Sequence, residues 1–400
     1  MENQQDGSNR EAGANTPLGM LPGLKVVEMG QNLAAPYASL ILGDLGADVV
    51  KVEKPGGDDA RGWGPPFVGD SSVSFHMMNR NKKSVVLSLD DENDYKAFLD
   101  LIREADVFIH NLRPGVENKL KADAETLMAV NPRLIYCSMS AFGHTGPMAD
   151  RPGYEPLLQA FSGMVAINGD PSGPPSRVGP SVVDLGTGMW SVIGILSALL
   201  QRQETGLGSE VRTSLLETAV NWAGRHIADY GATGKIPPRV GTGHNSLTPY
   251  GAFEASDGPF IIAAGNDRLF VKLAGALGHP EWPSDPRFTT NAARTENRPV
   301  LLPMISEIVA GATVDEWIEQ LEKAGVPCAP INSIPQVLEH PQTAAMQMIL
   351  EADDERLKLT GLPLSINGTR AGFGTEAPSL DAHHDELVGD TTATDTGEDK

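Results

Sequence analysis

The strongest constraint on the fold is a regular alternation of short apolar runs and helical stretches through the first third of the chain. Runs rich in Val, Ile and Leu predict strands at Leu24–Met29, Ala47–Glu53, Ser84–Leu89, Asp106–His110 and Leu134–Met139. Stretches with helical periodicity lie between them, as at Ala35–Leu45 and Glu92–Glu104. Because strands that alternate with helices pair in parallel, the sequence predicts an α/β fold with a doubly wound, mostly parallel, Rossmann-like sheet.

A smaller α+β domain is indicated by the different pattern after residue 225. The run Tyr250–Ala264 contains an Asp257-Gly258 turn between two strand-like halves, which is a strong hairpin signal. Helical stretches follow at Arg268–Leu277, Arg298–Ala310 and Thr313–Ala324. We predict a disordered leader over 1–20, a large domain over 21–224, the small domain over 225–325, a return to the large domain over 326–387 and an acidic disordered tail over 388–400.

Charge and cysteine content limit the partners and the compartment. The net charge of −21 argues against nucleic acids and anionic membranes, since both are polyanions. The N-terminus lacks the basic and apolar regions of a signal peptide, and no long apolar run predicts a membrane span. Cys137 and Cys328 are far apart in apolar surroundings, as expected of reduced thiols. These features predict a cytoplasmic protein.

The familiar nucleotide and metal motifs are missing. Glu53 ends the second strand where an acid that binds ribose would lie, but the turn Gly30–Ala35 lacks the glycines that admit a pyrophosphate. An NAD-dependent enzyme is therefore disfavoured. Gly234-Lys235 lacks the earlier glycine of a P-loop, and we expect His383-His384 to be solvated in a mobile acidic end. The sequence predicts no metal and no permanently bound cofactor.

One stretch is basic against this acidic background, and its members are Lys51, Lys54, Arg61, Arg80, Lys82 and Lys83. Near strand ends of a doubly wound sheet, some of these side chains are expected to bind a phosphorylated small molecule. Coenzyme A fits this expectation without a known phosphate-binding loop.

Asp184 stands at the start of an apolar helix predicted over Leu185–Gln201. A carboxylate there is commonly a helix cap, because its oxygens accept hydrogen bonds from free backbone N–H groups. Gly186 and Gly188 also leave the nearby backbone open to a ligand, and a loop that ends before the helix can carry a site. The apolar residues run almost all round the helix, which predicts that it is buried.

Taken together, several blocks resemble the class III (CaiB/BaiF-type) CoA-transferases over residues 20–385. They occur in the family's order and include Leu42–Gly57, Asn79–Ser84, Asn111–Gly115, Ser140–Pro147, Gly153–Glu155 and Asp285–Phe288. The resemblance implies an enzyme that transfers CoA from an acyl-CoA to a carboxylic acid. It also implies a homodimer of two ring-like subunits threaded through each other.

The resemblance assigns roles by position. Asp184 matches the nucleophile that forms an aspartyl anhydride and then an aspartyl-CoA thioester, and Gly265 matches a loop that covers this intermediate. The positions that match CoA contacts are Asn32, Leu33, Lys54, Leu87, Asn111, Leu112 and Lys119. Asp90 replaces a lysine of the formyl-CoA transferases, so we expect that contact to be lost or to be supplied by Lys82 or Lys83.

The resemblance leaves two alternatives to CoA transfer. Racemases of the family use a Gly-His-Asp motif, where this chain has Gly153-Tyr154-Glu155. A tyrosine with an ordinary pKa near 10 is a poor base for an α-proton, so transfer is favoured over racemisation of a 2-methylacyl-CoA. The second alternative is an inactive CoA-binding relative.

The finer matches, such as Trp63–Gly69 and His226–Ala228, resemble succinyl-CoA-dependent glutarate transferases. An attached dicarboxylate keeps one free carboxylate, which needs a partner when buried. Arg177 is the candidate for that partner, and Tyr154 is a second candidate for contact with the substrate.

Overall fold

The computed structural model describes residues 16–372 and 374–389. Most of the predicted leader and tail therefore lies outside the described residues. At the described end of the leader, the N–H groups of Leu18 and Met20 donate to the carbonyls of Asp44 and Leu45, at 2.9 and 2.8 Å. This short segment is thus attached to the end of the first helix.

The large unit is built on six parallel strands. They are β1 (Lys25–Met29), β2 (Asp48–Glu53), β3 (Lys82–Val86), β4 (Val107–His110), β5 (Ile135–Ser140) and β6 (Glu210–Ser214). Their order across the sheet is β3-β2-β1-β4-β5-β6, and every neighbouring pair is parallel. The winding reverses between β1 and β4, where sheets of this kind bind ligands at the carboxyl ends of the strands. The predicted doubly wound, mostly parallel sheet is confirmed.

The helices of the first half are α1 (Ala34–Asp44), α2 (Val73–Asn79), α3 (Glu92–Glu104), α4 (Val116–Lys119), α5 (Ala124–Val130), α6 (Glu155–Phe161), α7 (Met164–Ile167) and α8 (Val182–Thr205). Those of the second half are α9 (Leu215–Trp222), α10 (Gly224–Thr233), α11 (Asp267–Ala276), α12 (Asn291–Glu296), α13 (Arg298–Val309), α14 (Val314–Ala324), α15 (Ile334–Glu339), α16 (Pro341–Met346) and α17 (His384–Leu387). The local sequence determines where several of these helices begin. The Asp91 side chain, for example, accepts hydrogen bonds from the N–H groups of Asn93 and Asp94 at the start of α3.

The small unit has an antiparallel sheet of three strands, which are β7 (Tyr250–Glu254), β8 (Pro259–Ala263) and β9 (Cys328–Pro330). Its order is β9-β8-β7, and the expected hairpin joins β7 to β8. Two further hairpins pair β10 (Ile349–Glu351) with β11 (Lys358–Thr360), and β12 (Ser365–Ile366) with β13 (Thr369–Arg370). A two-residue ladder joins Phe67–Val68 to Ser71–Ser72.

The small unit comprises Ala160–Val178 and Trp222–His340, and the large unit comprises the other described residues. The limits differ from those expected at 225 and 325. Arg239 donates to the carbonyls of Asp170 and Gly173, at 3.1 and 2.8 Å, and so holds the earlier segment to the small unit. The strand β9 pairs with β8, which keeps the chain beyond residue 325 in this unit.

Each unit has its own apolar core. In the large unit, one core lies between the sheet and α3, and includes Val27, Val50, Phe98 and Phe108. In the small unit, the core includes Phe260 and Ile262 of β8, packed with residues of α11, α13 and α14. Burial of such side chains is worth about 1.5–3 kcal/mol each.

The helix α8 packs closely on α1. A Cβ atom placed on Gly188 would lie 2.8 Å from the carbonyl oxygen of Ala34, so only glycine allows this approach. The open backbone that was expected to admit a ligand at Gly188 is therefore filled by α1. The prediction that α8 is buried on all sides is wrong for the single chain, because Met189, Trp190, Ile193 and Leu200 are exposed.

By length and composition alone, α8 is also the one helix among the described residues that is apolar enough to cross a membrane. Its other face carries Val183, Val192 and Ile195 into the interior of the large unit. A core helix of a folded domain has this arrangement.

The C-terminal segment covers the edge strand β3. His383 donates its N–H to the carbonyl of Ser84 at 3.0 Å and accepts the N–H of Ser84 on Nδ1 at 3.2 Å. The Asp381 carboxylate accepts the N–H of Val86 at 2.7 Å. The expectation of a mobile, solvated His383-His384 pair is wrong, because this segment pairs with the sheet.

The contact between α1 and α8 leads to a paired prediction. Gly188→Ala should lower the free energy of unfolding by about 1–3 kcal/mol, since the added methyl group would push α8 away from α1. Gly275→Ala in α11 has no heavy atom near its added Cβ and should instead raise it by about 0.5–1 kcal/mol. Urea unfolding of the two variants measures both effects, and equal effects would contradict the proposed reason.

Candidate active site

A cavity of about 350 Å³ opens at the carboxyl ends of β1 and β4, where the winding of the sheet reverses. Two loops form part of its wall, one from Gln31 to Ala34 and one from Asn111 to Pro114. Seven of the site residues expected from the sequence line this one cavity: Asn32, Leu33, Lys54, Asn111, Leu112, Tyr154 and Asp184. The position agrees with the rule for ligand sites in doubly wound sheets.

Asp184 reaches the cavity from the first turn of α8. The helix begins at Val182 after the N-cap residue Ser181, so Asp184 is its third residue and not its cap. The capping interpretation is wrong, since no described residue donates a hydrogen bond to this carboxyl. A partly buried carboxyl without a partner faces an open space.

Burial, and after it the negative charge of Glu155, raises the pKa of Asp184 to about 7. Glu155 lies at the start of α6, is 3% exposed and lines the same cavity. Its Oε1 accepts a hydrogen bond from Gln159 at 2.5 Å and lies 3.5 Å from the N atom of Val183, next to Asp184 in the chain. Two carboxyls thus share the amino end of α8.

Glu155 was not assigned a role from the sequence. The signal was its place after Tyr154 in the Gly153–Glu155 block, which was used only to weigh racemisation. A carboxyl raised in pKa by a second carboxyl in a cavity is typical of functional sites.

The two loops of the cavity are joined by Asn111. Its Oδ1 accepts the N–H of Gln31 and its Nδ2 donates to the carbonyl of Gln31, both at 2.8 Å. The Asn111 side chain therefore binds the protein at both ends, whereas its predicted contact with CoA stays a prediction.

Most basic side chains of this stretch form ion pairs with acidic side chains of the protein. Lys51 and Lys82 are enclosed and pair with Glu28, each at 2.8 Å. The other pairs are Arg61 with Glu53, Arg80 with Asp44, and Lys83 with Asp48 and Glu386. Within this stretch Lys54 alone lines the cavity, and it pairs with Asp59 at 2.7 Å. Lys82 is fully enclosed, Lys83 is held by two ion pairs, and neither lines the cavity, so the supply of the contact missing at Asp90 stays a prediction.

Four predicted residues lie elsewhere. Leu87 is 2% exposed in the core of the large unit, so its side chain cannot reach a ligand. Lys119 ends the short helix α4, is exposed and does not line the cavity. Arg177 and Gly265 belong to the small unit, and their roles stay predictions.

Gly265 follows β8 and precedes the cap residue of α11, Asn266, whose side chain accepts the N–H of Leu269. A Cβ atom on Gly265 would lie 3.0 Å from the Cβ of Leu247, so close packing favours glycine here. Among the described residues, no group of three or more acidic, His or Cys side chains forms a metal site.

Comparison with known proteins agrees with the resemblance seen in the sequence. The family model described as CoA-transferase family III matches residues 21–384. The acetyl-CoA:oxalate CoA-transferase of Acetobacter aceti is 40% identical over 88% of this chain and 90% of its own. The human succinyl-CoA:glutarate CoA-transferase is 36% identical over 86% of this chain and 78% of its own.

A solved structure has the same fold. The crystal structure of a CaiB/BaiF family protein from Brucella suis superposes with a TM-score of 0.83 at 39% identity, and covers 93% of this chain and 98% of its own.

The raised pKa of Asp184 predicts a stabilising variant. Between pH 3.8, which is the ordinary pKa of an aspartate, and about pH 7, the Asp184 carboxyl keeps its proton in the folded protein but has released it in the unfolded chain. The charge therefore reduces the free energy of unfolding by its full amount only above pH 7. Asp184→Asn should raise the free energy of unfolding at pH 8 by roughly 2 kcal/mol, and by less at pH 5. Thermal unfolding at both pH values tests this.

Asp59→Asn is the matched control, because Asp59 lines the same cavity but is exposed. Its effect should stay within about 0.5 kcal/mol. A gain for Asp184→Asn that does not change between pH 8 and pH 5 would contradict the assigned pKa.

Proposed function

The chain belongs to CoA-transferase family III and is a CoA-transferase, and on this basis we propose that it moves CoA from succinyl-CoA to a small dicarboxylic acid through Asp184. The observation that carries the role of Asp184 is its carboxyl without a partner on the cavity wall, beside the loops at the ends of β1 and β4. The relatives support the substrate class, since their names pair oxalate with acetyl-CoA and glutarate with succinyl-CoA.

The proposed exchange proceeds by nucleophilic catalysis at Asp184. Its carboxylate attacks the acyl-CoA carbonyl and expels the CoA thiolate, which gives an aspartyl anhydride. The thiolate then attacks the aspartyl carbonyl, which gives an aspartyl-CoA thioester and releases the donor acid. The acceptor carboxylate attacks this thioester, and the thiolate returns to the acceptor carbonyl of the second anhydride. The new acyl-CoA leaves and the Asp184 carboxylate is restored without ATP.

The electrostatics of the cavity suit this role. A carboxyl with a pKa of about 7 is partly ionised at neutral pH, and it is a stronger nucleophile than one of ordinary acidity. The buried Glu155 contributes to this pKa by its negative charge. Water has less access to a buried carboxyl, which favours transfer over hydrolysis of the intermediates.

The remaining predicted residues complete the proposal. The backbone at Gly265 is the candidate donor to the oxyanion of each tetrahedral intermediate, which needs donors about 3 Å away. Arg177 is the candidate partner of the free carboxylate of the attached acid, with Tyr154 as a further contact. The candidates for contact with CoA in the cavity are Lys54, Asn32, Leu33 and Leu112. Lys119 and the main chain of Leu87 do not line the cavity, so they would contact only a part of CoA that extends outside it.

The reaction predicts a transfer of oxygen as well as of CoA. In a single turnover with succinyl-CoA and a dicarboxylate labelled with oxygen-18, the new thioester should form and one heavy oxygen should remain on Asp184, because the second anhydride breaks on the acceptor side. Mass spectrometry of the thioesters and of the peptide that contains Asp184 measures both.

Asp184→Ala should form no new thioester, whereas Asp59→Asn should keep the reaction. Exchange by Asp184→Ala, or a labelled thioester without label on Asp184, would contradict the mechanism. If no acid is accepted, deuterium exchange at the α-carbon of a 2-methylacyl-CoA would favour the racemase alternative, and its absence would favour the inactive relative.

We also propose a cytoplasmic homodimer. Apolar side chains are exposed along α8, including Leu200 at 65%, and along α15, including Ile334 at 74%. Exposed apolar side chains that are grouped on one helix are typical of surfaces that bind protein. The net charge of −21 disfavours an anionic membrane as the partner, so a second copy is the proposed cover.

Light scattering after gel filtration should give a mass of twice the 42.5 kDa of the chain. The double variant Trp190→Glu, Ile193→Glu should have a smaller mass in solution or should precipitate, since the substitutions place charge in the proposed contact between the two copies. A monomeric protein would contradict the dimer without bearing on the chemistry of Asp184.

A further inference from the structure

The loop Gly30–Asn32, which enters the cavity wall after β1, is held by side chains instead of by regular secondary structure. The carbonyl of Gly30 accepts a hydrogen bond from Lys51 Nζ at 2.8 Å. Asn111 binds both the N–H and the carbonyl of Gln31, and Asp58 Oδ1 accepts the N–H of Asn32 at 3.1 Å. Three consecutive residues are thus fixed by three distant parts of the chain.

Two of these side chains belong to a buried ion cluster. Lys51 Nζ lies 2.8 Å from Glu28 Oε1 and 3.0 Å from Asp58 Oδ2, and all three side chains are almost fully enclosed. Lys82 binds the other oxygen of Glu28 at 2.8 Å and the carbonyl of Pro36 in α1 at 2.9 Å. The cluster thus contains two acidic side chains, Glu28 and Asp58, and two basic ones, Lys51 and Lys82.

Burial opposes the charge of Glu28, but the ammonium groups of Lys51 and Lys82 outweigh that effect and hold the pKa of Glu28 at about 2. Glu28 is therefore ionised at neutral pH. Removing one ion from such a cluster leaves its partner buried without compensation, which is costly.

One residue of the loop has a less common backbone conformation. Asn32 has a φ of 67°, in the left-handed region that glycine adopts freely and that asparagine tolerates better than most other residues. A Cβ atom on Gly30 would lie 2.6 Å from Glu28 Oε1, so the carboxylate of the cluster passes directly under this residue. The shape of the cavity wall at Gln31 and Asn32 thus depends on the ions beneath it.

We propose that Lys51 and Asp58 are positioning residues that set the affinity of the cavity for the CoA thioester by fixing the Gly30–Asn32 loop. Neither lines the cavity, whereas Gln31 and Asn32 do. The identity of the ligand rests on the proposed function, and the role in fixing the loop does not.

Asp58→Ala tests the role. Loss of a hydrogen bond to a charged acceptor should release Asn32, and we expect KM for the acyl-CoA and Kd for CoA to rise about tenfold, with kcat within about twofold. Asp58→Asn keeps an acceptor for the N–H of Asn32 and should restore most of the affinity. Hydrogen exchange of the peptide that contains Gln31 and Asn32 should be faster in Asp58→Ala.

Asp44→Ala is the matched control. It breaks the buried ion pair of Asp44 and Arg80, 2.6 Å apart, at the opposite end of α1 and away from the cavity. It should lower stability without changing KM or the exchange of the loop. Equal changes in KM for both Ala variants, or an unchanged loop in Asp58→Ala, would overturn the positioning role.

If the intact protein binds no CoA, the proposed function fails. The comparison of loop exchange between Asp58→Ala and Asp44→Ala still decides the positioning role in that case. Should Asp58→Ala not fold, Lys51→Met, which removes the donor to the carbonyl of Gly30, gives the same comparison, with faster loop exchange than in the intact protein expected and identical exchange overturning the role.

Discussion

The close approach of α8 to α1 is the contact on which the site depends. Gly188 meets the carbonyl of Ala34, and Asp184 lies one helical turn before Gly188 on the same face of α8. Ala34 in turn is the first residue of α1, directly after the loop that lines the cavity. The one contact between backbones therefore brings the carboxyl of Asp184 to the start of α1, and a larger side chain at the crossing would separate them.

The electrostatics at this place combine opposing effects. The amino end of a helix carries a partial positive charge, which favours a carboxylate. Burial and the neighbouring Glu155 act in the other direction and prevail, so the pKa of Asp184 rises. The ion cluster under the loop has the opposite balance, because Glu28 is enclosed with two ammonium groups and stays ionised. Two buried carboxyls within one unit thus differ in acidity according to the charges beside them.

The alternation of strands and helices was sufficient to predict five of the six strands of the large unit, although not β6, and the blocks of the family pointed to Asp184. The ion pairs of the basic residues could not be predicted in the same way. Lys51 and Lys82 look available in the sequence, but Glu28 and Asp58 neutralise them only after the strands have paired. Leu87 shows the same limit, since it follows β3 directly and its side chain, like that of Val85, lies in the core. The segment Ala160–Val178 is a third case, because its attachment to the small unit depends on Arg239, far along the chain.

The pairing of the C-terminal segment with β3 has a consequence for biosynthesis. Asp381 lies 295 residues after its partner Val86 in β3, and His383 lies 299 residues after Ser84. Until those residues have left the ribosome, the outer edge of β3 presents free N–H and C=O groups to any other strand. The nascent chain is therefore prone to aggregate at this edge throughout that interval, and a truncation before residue 381 would make that condition permanent.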